Sequence, residues 1–341
     1  MAKTKIAING FGRIGRIFFR HAFGRTDIEI IAINDLGSPE NMAYLLKYDT
    51  VYGVYEKNIE FKIENGKNFL EADGVKIPFL QEKDPSRLPW KEFGIDIVVE
   101  STGIFDNHQK AEAHIAAGAK RVVITAPAKD EITPTATPNV GEEFLKSDRI
   151  TSNASCTTNA STPVMAVMMK NPGVKKAVLN TVHAYTATQG LVDGPAKRGD
   201  FRRARAAAQN IVPTTTGAAL AAVKAIPDLK EKFDGISLRV PVIAGSIADL
   251  TFVAKRPTSV EEINDIFKRA AVEKEWEGIL AVTEEPLVSS DILKNPHGSV
   301  VDLSMTKVVD GDLVKILAWY DNEWGYASVL LKHVLAVGKL L

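Results

Sequence analysis

Lys5-Ile6-Ala7-Ile8-Asn9-Gly10-Phe11-Gly12-Arg13-Ile14-Gly15-Arg16 decides how the first half of this chain folds. Residues 5–8 form a short apolar strand, and apolar residues recur at helical spacing from residue 12 to 23. Between them, Gly10, Gly12 and Gly15 stand at the G-x-G-x-x-G spacing. Such glycines permit a tight turn, close backbone approach to a pyrophosphate, and close packing of helix on strand. The helix start, with Arg13 and Ile14 in its first turn, offers N–H groups and a positive dipole end to phosphates. A glycine-rich structural turn has the same spacing, so context must decide. The next apolar run, residues 28–33, is followed by Asp35, twenty residues after Gly15. A carboxylate there accepts hydrogen bonds from the adenosine ribose hydroxyls and repels a 2′-phosphate, which favours NAD over NADP. Asp35-Leu36-Gly37-Ser38 is also good turn chemistry, and the two readings are compatible.

Outward from this stretch, the alternation of strand and helix continues. A helix is expected over 39–48, β-hairpins over 59–80 around Asn65-Gly66 and Asp73-Gly74, strands over 95–99 and 121–125, and a helix over 109–117. This grammar implies a parallel sheet with right-handed crossovers. It changes after residue 156. A helix over 157–169 leads to a strand over 174–183 and a long polar stretch over 184–210. Residues 236–242 and 246–254 read as paired strands, and 260–271 as a helix entered through Thr258-Ser259. Residues 300–305 and 313–320 close an antiparallel sheet, and 322–341 form a final helix.

Composition narrows the function classes. The 42 basic and 42 acidic residues among 341 cancel, so charge provides no reason to bind nucleic acid or an anionic membrane. Arg202, Arg203 and Arg205 cluster locally and read as a solvated or interface feature. No segment reaches the roughly 18 consecutive apolar residues of a membrane span, and no signal-peptide pattern is present, so a cytoplasmic location is expected. The single cysteine, Cys156, rules out an intramolecular disulfide and a multi-cysteine zinc site; no metal is expected.

That cysteine lies in Ser152-Asn153-Ala154-Ser155-Cys156-Thr157-Thr158-Asn159, at an expected helix start. A lone cysteine is most often a small core hydrophobe. Here its neighbours are hydroxyls and amides, the helix dipole should lower its pKa, and His183 ends the following strand 27 residues later. One helix and one return strand can bring imidazole to sulfur, although a strand-end histidine can equally be a polar rim residue.

Taken together, residues 7–16, the octapeptide 152–159, and Trp319-Tyr320-Asp321-Asn322-Glu323-Trp324-Gly325-Tyr326 resemble the glyceraldehyde-3-phosphate dehydrogenase family. The resemblance runs along essentially the whole chain, through 126–129, 203–207 and 288–291. It implies an α/β and α+β protein: a Rossmann-type dinucleotide-binding domain, 1–155 completed by the C-terminal helix 322–341, and a mostly antiparallel-sheet catalytic domain, 156–321. It also implies NAD as cofactor, glyceraldehyde 3-phosphate and inorganic phosphate as reactants, and a homotetramer. Cys156 would be the nucleophile and His183 its base. Thr186 and Arg239 would hold the aldehyde's phosphate. Ser155, Thr157, Thr216 and the backbone of Gly217 would hold inorganic phosphate. Asn322 would orient the nicotinamide carboxamide, and Tyr326 would pack near that ring. The backbone N–H of Cys156 would serve as an oxyanion donor.

Three places depart from the family's pattern. Its frequent second cysteine, four residues after the nucleophile, is Ala160 here; residues 135–141 differ from the usual Gly-Val-Asn wording; and 193–201 is slightly longer than the common bacterial form, though Pro195 matches the NAD-preferring pattern. An erythrose-4-phosphate dehydrogenase shares the fold and cysteine signature, but Thr214-Thr215-Thr216-Gly217-Ala218-Ala219 resembles an intact inorganic-phosphate site. A non-catalytic NAD-binding scaffold is the alternative from another class, and it would have no use for an activated thiol beside a histidine.

Overall fold

The computed structural model describes residues 3–196 and 199–341. Lys197 and Arg198, inside the lengthened 193–201 segment, lie outside the described residues. The chain divides into two compact units: residues through Ala136 with Glu142–Ala154 and Leu330–Leu341, and Thr137–Gly141 with Ser155–Val329.

In the first unit, β1 (Thr4–Asn9) leads through α1 (Arg13–Ala22) to β2 (Ile28–Asn34) and α2 (Pro39–Lys47). Ser38 caps α2 by accepting from Asn41 N at 3.4 Å, with Pro39 and Glu40 in the first turn. A short antiparallel pair, β3 (Tyr48–Asp49) and β4 (Gly53–Val54), precedes the meander β5 (Ile59–Glu64), β6 (Lys67–Ala72) and β7 (Val75–Leu80). Its turns carry positive φ at both central residues, Asn65 (50°) and Gly66 (73°), Asp73 (45°) and Gly74 (80°), as two-residue hairpins require. Then come α3 (Trp90–Phe93), β8 (Ile97–Glu100), α4 (His108–Ala116), β9 (Arg121–Ile124) and β10 (Ile150–Ser152). The sheet order is β10-β9-β8-β1-β2-β7-β6-β5. Its β10-to-β7 part is parallel, and β1 is central there, with Ile6, Ala7 and Ile8 fully buried. The meander therefore extends the main sheet, because β7 pairs with β2 in parallel.

The second unit contains α5 (Cys156–Lys170), β11 (Val174–Ala184), β12 (Val212–Thr215), α6 (Ala218–Ala225), β13 (Phe233–Val240), β14 (Ser246–Ala254), α7 (Val260–Val272), β15 (Leu280–Thr283), β16 (Ser299–Val309), β17 (Leu313–Tyr320) and the start of α8 (Trp324–Gly338). Four of its sheet's six pairings are antiparallel, in the order β12-β13-β11-β14-β17-β16-β15. The expected pairing of β13 with β14 is wrong: β11 lies between them, parallel to β13 and antiparallel to β14. Sequence adjacency suggested a hairpin, but residues 241–245 instead carry the chain past β11. One face of the sheet buries Leu179, Leu250, Phe252 and Ile316 with apolar residues of α5, α6 and α7.

Residues 137–141 belong to the second unit, where Val140 joins the core and Thr137 Oγ1 meets Thr162 Oγ1 at 2.7 Å. The division of α8 falls within the helix, so only residues from Leu330 onward belong to the first unit.

There His333 is buried with Nε2 3.1 Å from Thr151 Oγ1, and burial lowers its pKa to about 3; burial and Arg239 lower that of His183 likewise to about 3. An unfolded histidine binds its proton near pH 6.5, so between pH 6.5 and about 3 the unfolded chain holds protons that the folded one refuses. Stability therefore rises with pH across this window and is lost on acidification. Urea unfolding at pH 7 and pH 5 should show a loss on the order of 1–2 kcal/mol per histidine, and His333→Gln should reduce that loss by one histidine's share. Equal losses in both proteins would refute this origin for the acid sensitivity.

Candidate active site

A cleft of about 360 Å³ at the ends of β1, β2 and β8 is lined by Gly10, Gly12, Asn34, Asp35, Ser101 and Thr102, among others. Gly10 has φ +92°, and a Cβ there would stand 2.6 Å from Thr102 N. A Cβ on Gly15 would stand 2.1 Å from Gly10 O, so α1 could not close on the loop. Gly12 faces open space and caps α1 without a side-chain acceptor, leaving the helix start open to an anion. Asp35 is half-buried, accepting from Phe11 N at 2.6 Å and Gly37 N at 2.8 Å. These bonds hold its carboxylate at the cleft with lone pairs left for hydroxyls. The residues present fit a dinucleotide. Arg13 contributes differently from a free basic side chain: its guanidinium pairs with Asp49 and lies over the Tyr52 ring at 5.5 Å, while Ile14 is half-buried in the same helical turn.

In the second unit, Ser155 caps α5 by accepting from Thr158 N at 3.1 Å, which presents Cys156 at the first helical position. Ala154, with φ +58°, makes the sharp turn into the helix, a conformation that costs an L-residue roughly 1–2 kcal/mol. Cys156 Sγ lies 3.3 Å from His183 Nε2 at the end of β11. His183 Nδ1 lies 2.7 Å from Ala184 O, so it carries the ring proton and leaves the Nε2 lone pair facing the sulfur. Arg239 is placed beside His183 by the parallel register of β11 and β13; its Nη1 donates to Ala184 O at 3.2 Å and so shares that acceptor with Nδ1, from which it stands 2.9 Å.

The electrostatics revise one expectation. Burial pushes the Cys156 thiol up, against opposing pulls from Arg239, from the Thr157 hydroxyl and N–H, and from its own N–H. The helix start does aim amides at the sulfur, but desolvation outweighs them. The same environment holds His183 neutral. The resting pair is thus a thiol beside an imidazole ready to take its proton.

Two polar neighbourhoods lie near this pair. Thr186 Oγ1 meets Thr188 Oγ1 at 2.9 Å, and Arg203 Nη1 donates to the latter at 3.2 Å. Arg203 also acts electrostatically on both His183 and Arg239, which draws one member of the bland arginine cluster into the site. The second neighbourhood is a meeting of helix starts. Gly217 caps α6 without a side chain, Thr216 Oγ1 accepts from Ala218 N at 3.1 Å, and Thr158 Oγ1 of α5 donates to Ala218 O at 3.3 Å. Ser155 Oγ lies 2.8 Å from Thr158 Oγ1. Thr157 differs from expectation: its buried hydroxyl is 2.8 Å from Tyr320 Oη and does not join Ser155 and Thr216.

Tyr320 was not singled out by the sequence. Its buried hydroxyl bridges Thr157 and Thr181, each at 2.8 Å, and its ring meets His183 edge-on at 5.9 Å. The hydroxyl at the end of a mostly apolar strand was the signal available. Next in the chain, Asp321 starts α8 by accepting from Glu323 N at 2.9 Å and Trp324 N at 2.8 Å. Asn322 Oδ1 accepts from Gly245 N and Ser246 Oγ, both at 3.0 Å, which leaves Nδ2 as the outward donor. Tyr326 is buried in the first turn of α8.

Comparison with known proteins agrees with this arrangement. Residues 4–108 match the family described as "Glyceraldehyde 3-phosphate dehydrogenase, NAD binding domain", and residues 155–322 match "Glyceraldehyde 3-phosphate dehydrogenase, C-terminal domain". The chain is 48% identical over 339 residues to a glyceraldehyde-3-phosphate dehydrogenase of Streptomyces coelicolor, covering 99% of each chain. It is 47% identical over 339 residues to glyceraldehyde-3-phosphate dehydrogenase 2 of Bacillus subtilis, covering 98% of this chain and 97% of that one. With the enzyme of Zymomonas mobilis the figure is 45% over 341 residues, again covering 99% of each. With an NAD-binding domain followed by a catalytic domain, this chain belongs to the glyceraldehyde-3-phosphate dehydrogenase family of NAD-dependent oxidoreductases.

Proposed function

We propose that this chain oxidises D-glyceraldehyde 3-phosphate and phosphorylates the product to 1,3-bisphosphoglycerate, through a thioester on Cys156. The observation that carries the reading is the 3.3 Å approach of Cys156 Sγ to the unprotonated nitrogen of a neutral His183. As Sγ adds to the aldehyde carbon, His183 Nε2 takes the thiol proton and returns it to the new hydroxyl group, forming a hemithioacetal. His183 then accepts that hydroxyl proton as the carbon is oxidised. When bound, NAD would supply the two-electron acceptor; Gly10, Gly12, Gly15, the first-turn backbone of Arg13 and Ile14, and Asp35 would hold the dinucleotide, Asn322 Nδ2 would donate to the carboxamide, and Tyr326 would support the ring. The oxidised carbon is now a thioester, which inorganic phosphate attacks, releasing acyl phosphate and the thiolate.

The first phosphate neighbourhood, Thr186 and Arg239, suits the aldehyde's own phosphate, since Arg239 Nε is buried without a partner among the described residues. The second, Ser155, Thr216 and Gly217, suits the attacking phosphate, because two helix starts converge there, and Thr157 would join it on releasing its hydroxyl from Tyr320 Oη. The Cys156 N–H, aimed at the sulfur's side of the helix start, suits the oxyanion. A homotetramer is supported by the second unit's outer sheet face, where Val178, Ile236, Val309 and Leu313 are exposed. No described helix is long and apolar enough to cross a membrane, and cytoplasmic work fits the unpaired reactive cysteine.

The test is NADH formation from glyceraldehyde 3-phosphate with and without inorganic phosphate. Sustained turnover should require phosphate, leaving only a single burst without it. Equal sustained rates in both would mean that water, not phosphate, resolves the thioester. NAD should be preferred over NADP at least about tenfold in kcat/KM, since one repulsive contact at Asp35 is worth roughly 1.4 kcal/mol or more. Asp35→Ala should narrow the gap. Equal use of both cofactors by the parent protein would remove the ribose role of Asp35.

A further inference from the structure

Three adjacent parallel strands of the first unit end in a row of buried polar side chains in register: Glu100 on β8, Asn9 on β1 and Asn34 on β2. Asn34 Nδ2 donates to Asn9 Oδ1 at 2.7 Å, and Asn9 Nδ2 donates to Glu100 Oε2 at 2.5 Å. Asn34 also joins both backbone groups of Glu82, accepting from its N at 2.9 Å and donating to its O at 3.0 Å. The other carboxylate oxygen, Oε1, accepts from Thr102 N at 2.8 Å and from the Thr102 hydroxyl. Behind the row lies His114, fully buried, with Nε2 3.1 Å from Glu100 Oε2. Trp90 Nε1 is 3.0 Å from His114 Nδ1, and an indole can only donate. Nδ1 must therefore accept, so the imidazole proton sits on Nε2 and points at Glu100.

Every group facing Glu100 is thus a donor. Only the Thr102 hydroxyl can turn and accept instead. Thr102 N is backbone, turning His114 would set its proton against Trp90, and turning Asn9 would set its amide against Asn34. A carboxylate, which only accepts, satisfies all four contacts at once. A glutamine would press its NH₂ against a donor on one side or the other.

The row also connects the walls of the cofactor cleft. Asn9 begins the glycine loop, Asn34 grips Glu82 on the opposite wall, and Thr102 lies on the third; all of them, with Gly10, line the cleft. Glu100, His114 and Trp90 do not. We propose that Glu100 is a positioning residue for the dinucleotide: through Asn9, Asn34 and Thr102 its carboxylate holds the three cleft-lining segments at the spacing the cofactor requires, and His114 and Trp90 lock it from behind. This rests on the cleft being the cofactor site.

The test compares NAD titration and steady-state kinetics of the full chain with those of Glu100→Gln, His114→Gln and Asp35→Ala, with melting curves to establish folding. Glu100→Gln should raise the Kd and KM for NAD about tenfold while kcat at saturating NAD stays within about twofold. A merely structural role would lower the melting temperature and the yield of active protein without moving the KM for NAD. His114→Gln keeps the carboxylate and alters no cleft surface, so it should raise the same constants about threefold, and it decides the matter if Glu100→Gln does not fold. Unchanged NAD affinity in a folded variant overturns the proposal. If Asp35→Ala also binds NAD normally, the assignment of the cleft itself falls. If Asp35→Ala is weakened and the other two are not, only the role of Glu100 falls.

Discussion

Cys156→Ser should lower turnover by at least about a thousandfold, roughly 4 kcal/mol in the barrier, while NAD still binds. The site supplies a neutral imidazole 3.3 Å from the sulfur, and that base is matched to a thiol rather than to an alcohol. A serine hydroxyl fits the half-buried space with little strain but does not yield its proton to so weak a base, and it would give an ester in place of a thioester. NAD should bind as before, because the sulfur is not among the groups proposed to hold the dinucleotide, and the cleft lined by Gly10, Gly12 and Asp35 does not include Cys156. Rapid-quench assay of the acyl-enzyme together with NAD titration checks both halves. Appreciable NADH formation by a homogeneous serine variant would end the covalent mechanism.

His183→Asn should lower kcat by about 10²–10⁴-fold, the usual contribution of a positioned general base. Asparagine retains a donor near the Nδ1 position, so the contact with Ala184 O survives while the atom facing the sulfur is lost. Because burial pushes the Cys156 thiol up, the sulfur would then have to ionise unaided, and the residual rate should climb with pH on the alkaline side. In the parent protein His183 is already neutral above about pH 3, so its own titration should not shape the neutral part of the rate profile. Rates measured from pH 6 to 10 distinguish the two proteins. A variant within tenfold of the parent, with an unchanged profile, would assign the proton to another group.

Much of this protein was legible along the chain. The strand, the three glycines and Asp35 specify a strand–turn–helix unit through local sterics: a Cβ on Gly10 or Gly15 would collide with neighbouring backbone, and Gly12 opens the helix start. The hairpin turns at Asn65-Gly66 and Asp73-Gly74 likewise follow from residue types that accept positive φ. The octapeptide around Cys156 set the cap and the helix start at which the cysteine stands, since a capping hydroxyl acts within three residues. These are short-range effects, decided by atoms that the sequence places next to one another.

What the sequence left open depends on register between distant strands. Arg239 reaches His183 because β11 and β13 are parallel neighbours, an arrangement concealed by the apparent hairpin of β13 with β14. Tyr320 bridges Thr157 and Thr181, and Glu100 meets Asn9 and His114, only after the sheets have formed. Tertiary structure also decided the protonation of Cys156 and His183. The sequence showed a helix dipole that should lower the thiol's pKa, but the charge of a group depends on how much water surrounds it, and burial set both Cys156 and His183 in the neutral state. Periodicity and turn chemistry thus determined the elements and the helix start that carries Cys156, whereas strand order and desolvation, which no local window contains, determined the partners of that sulfur and its resting charge.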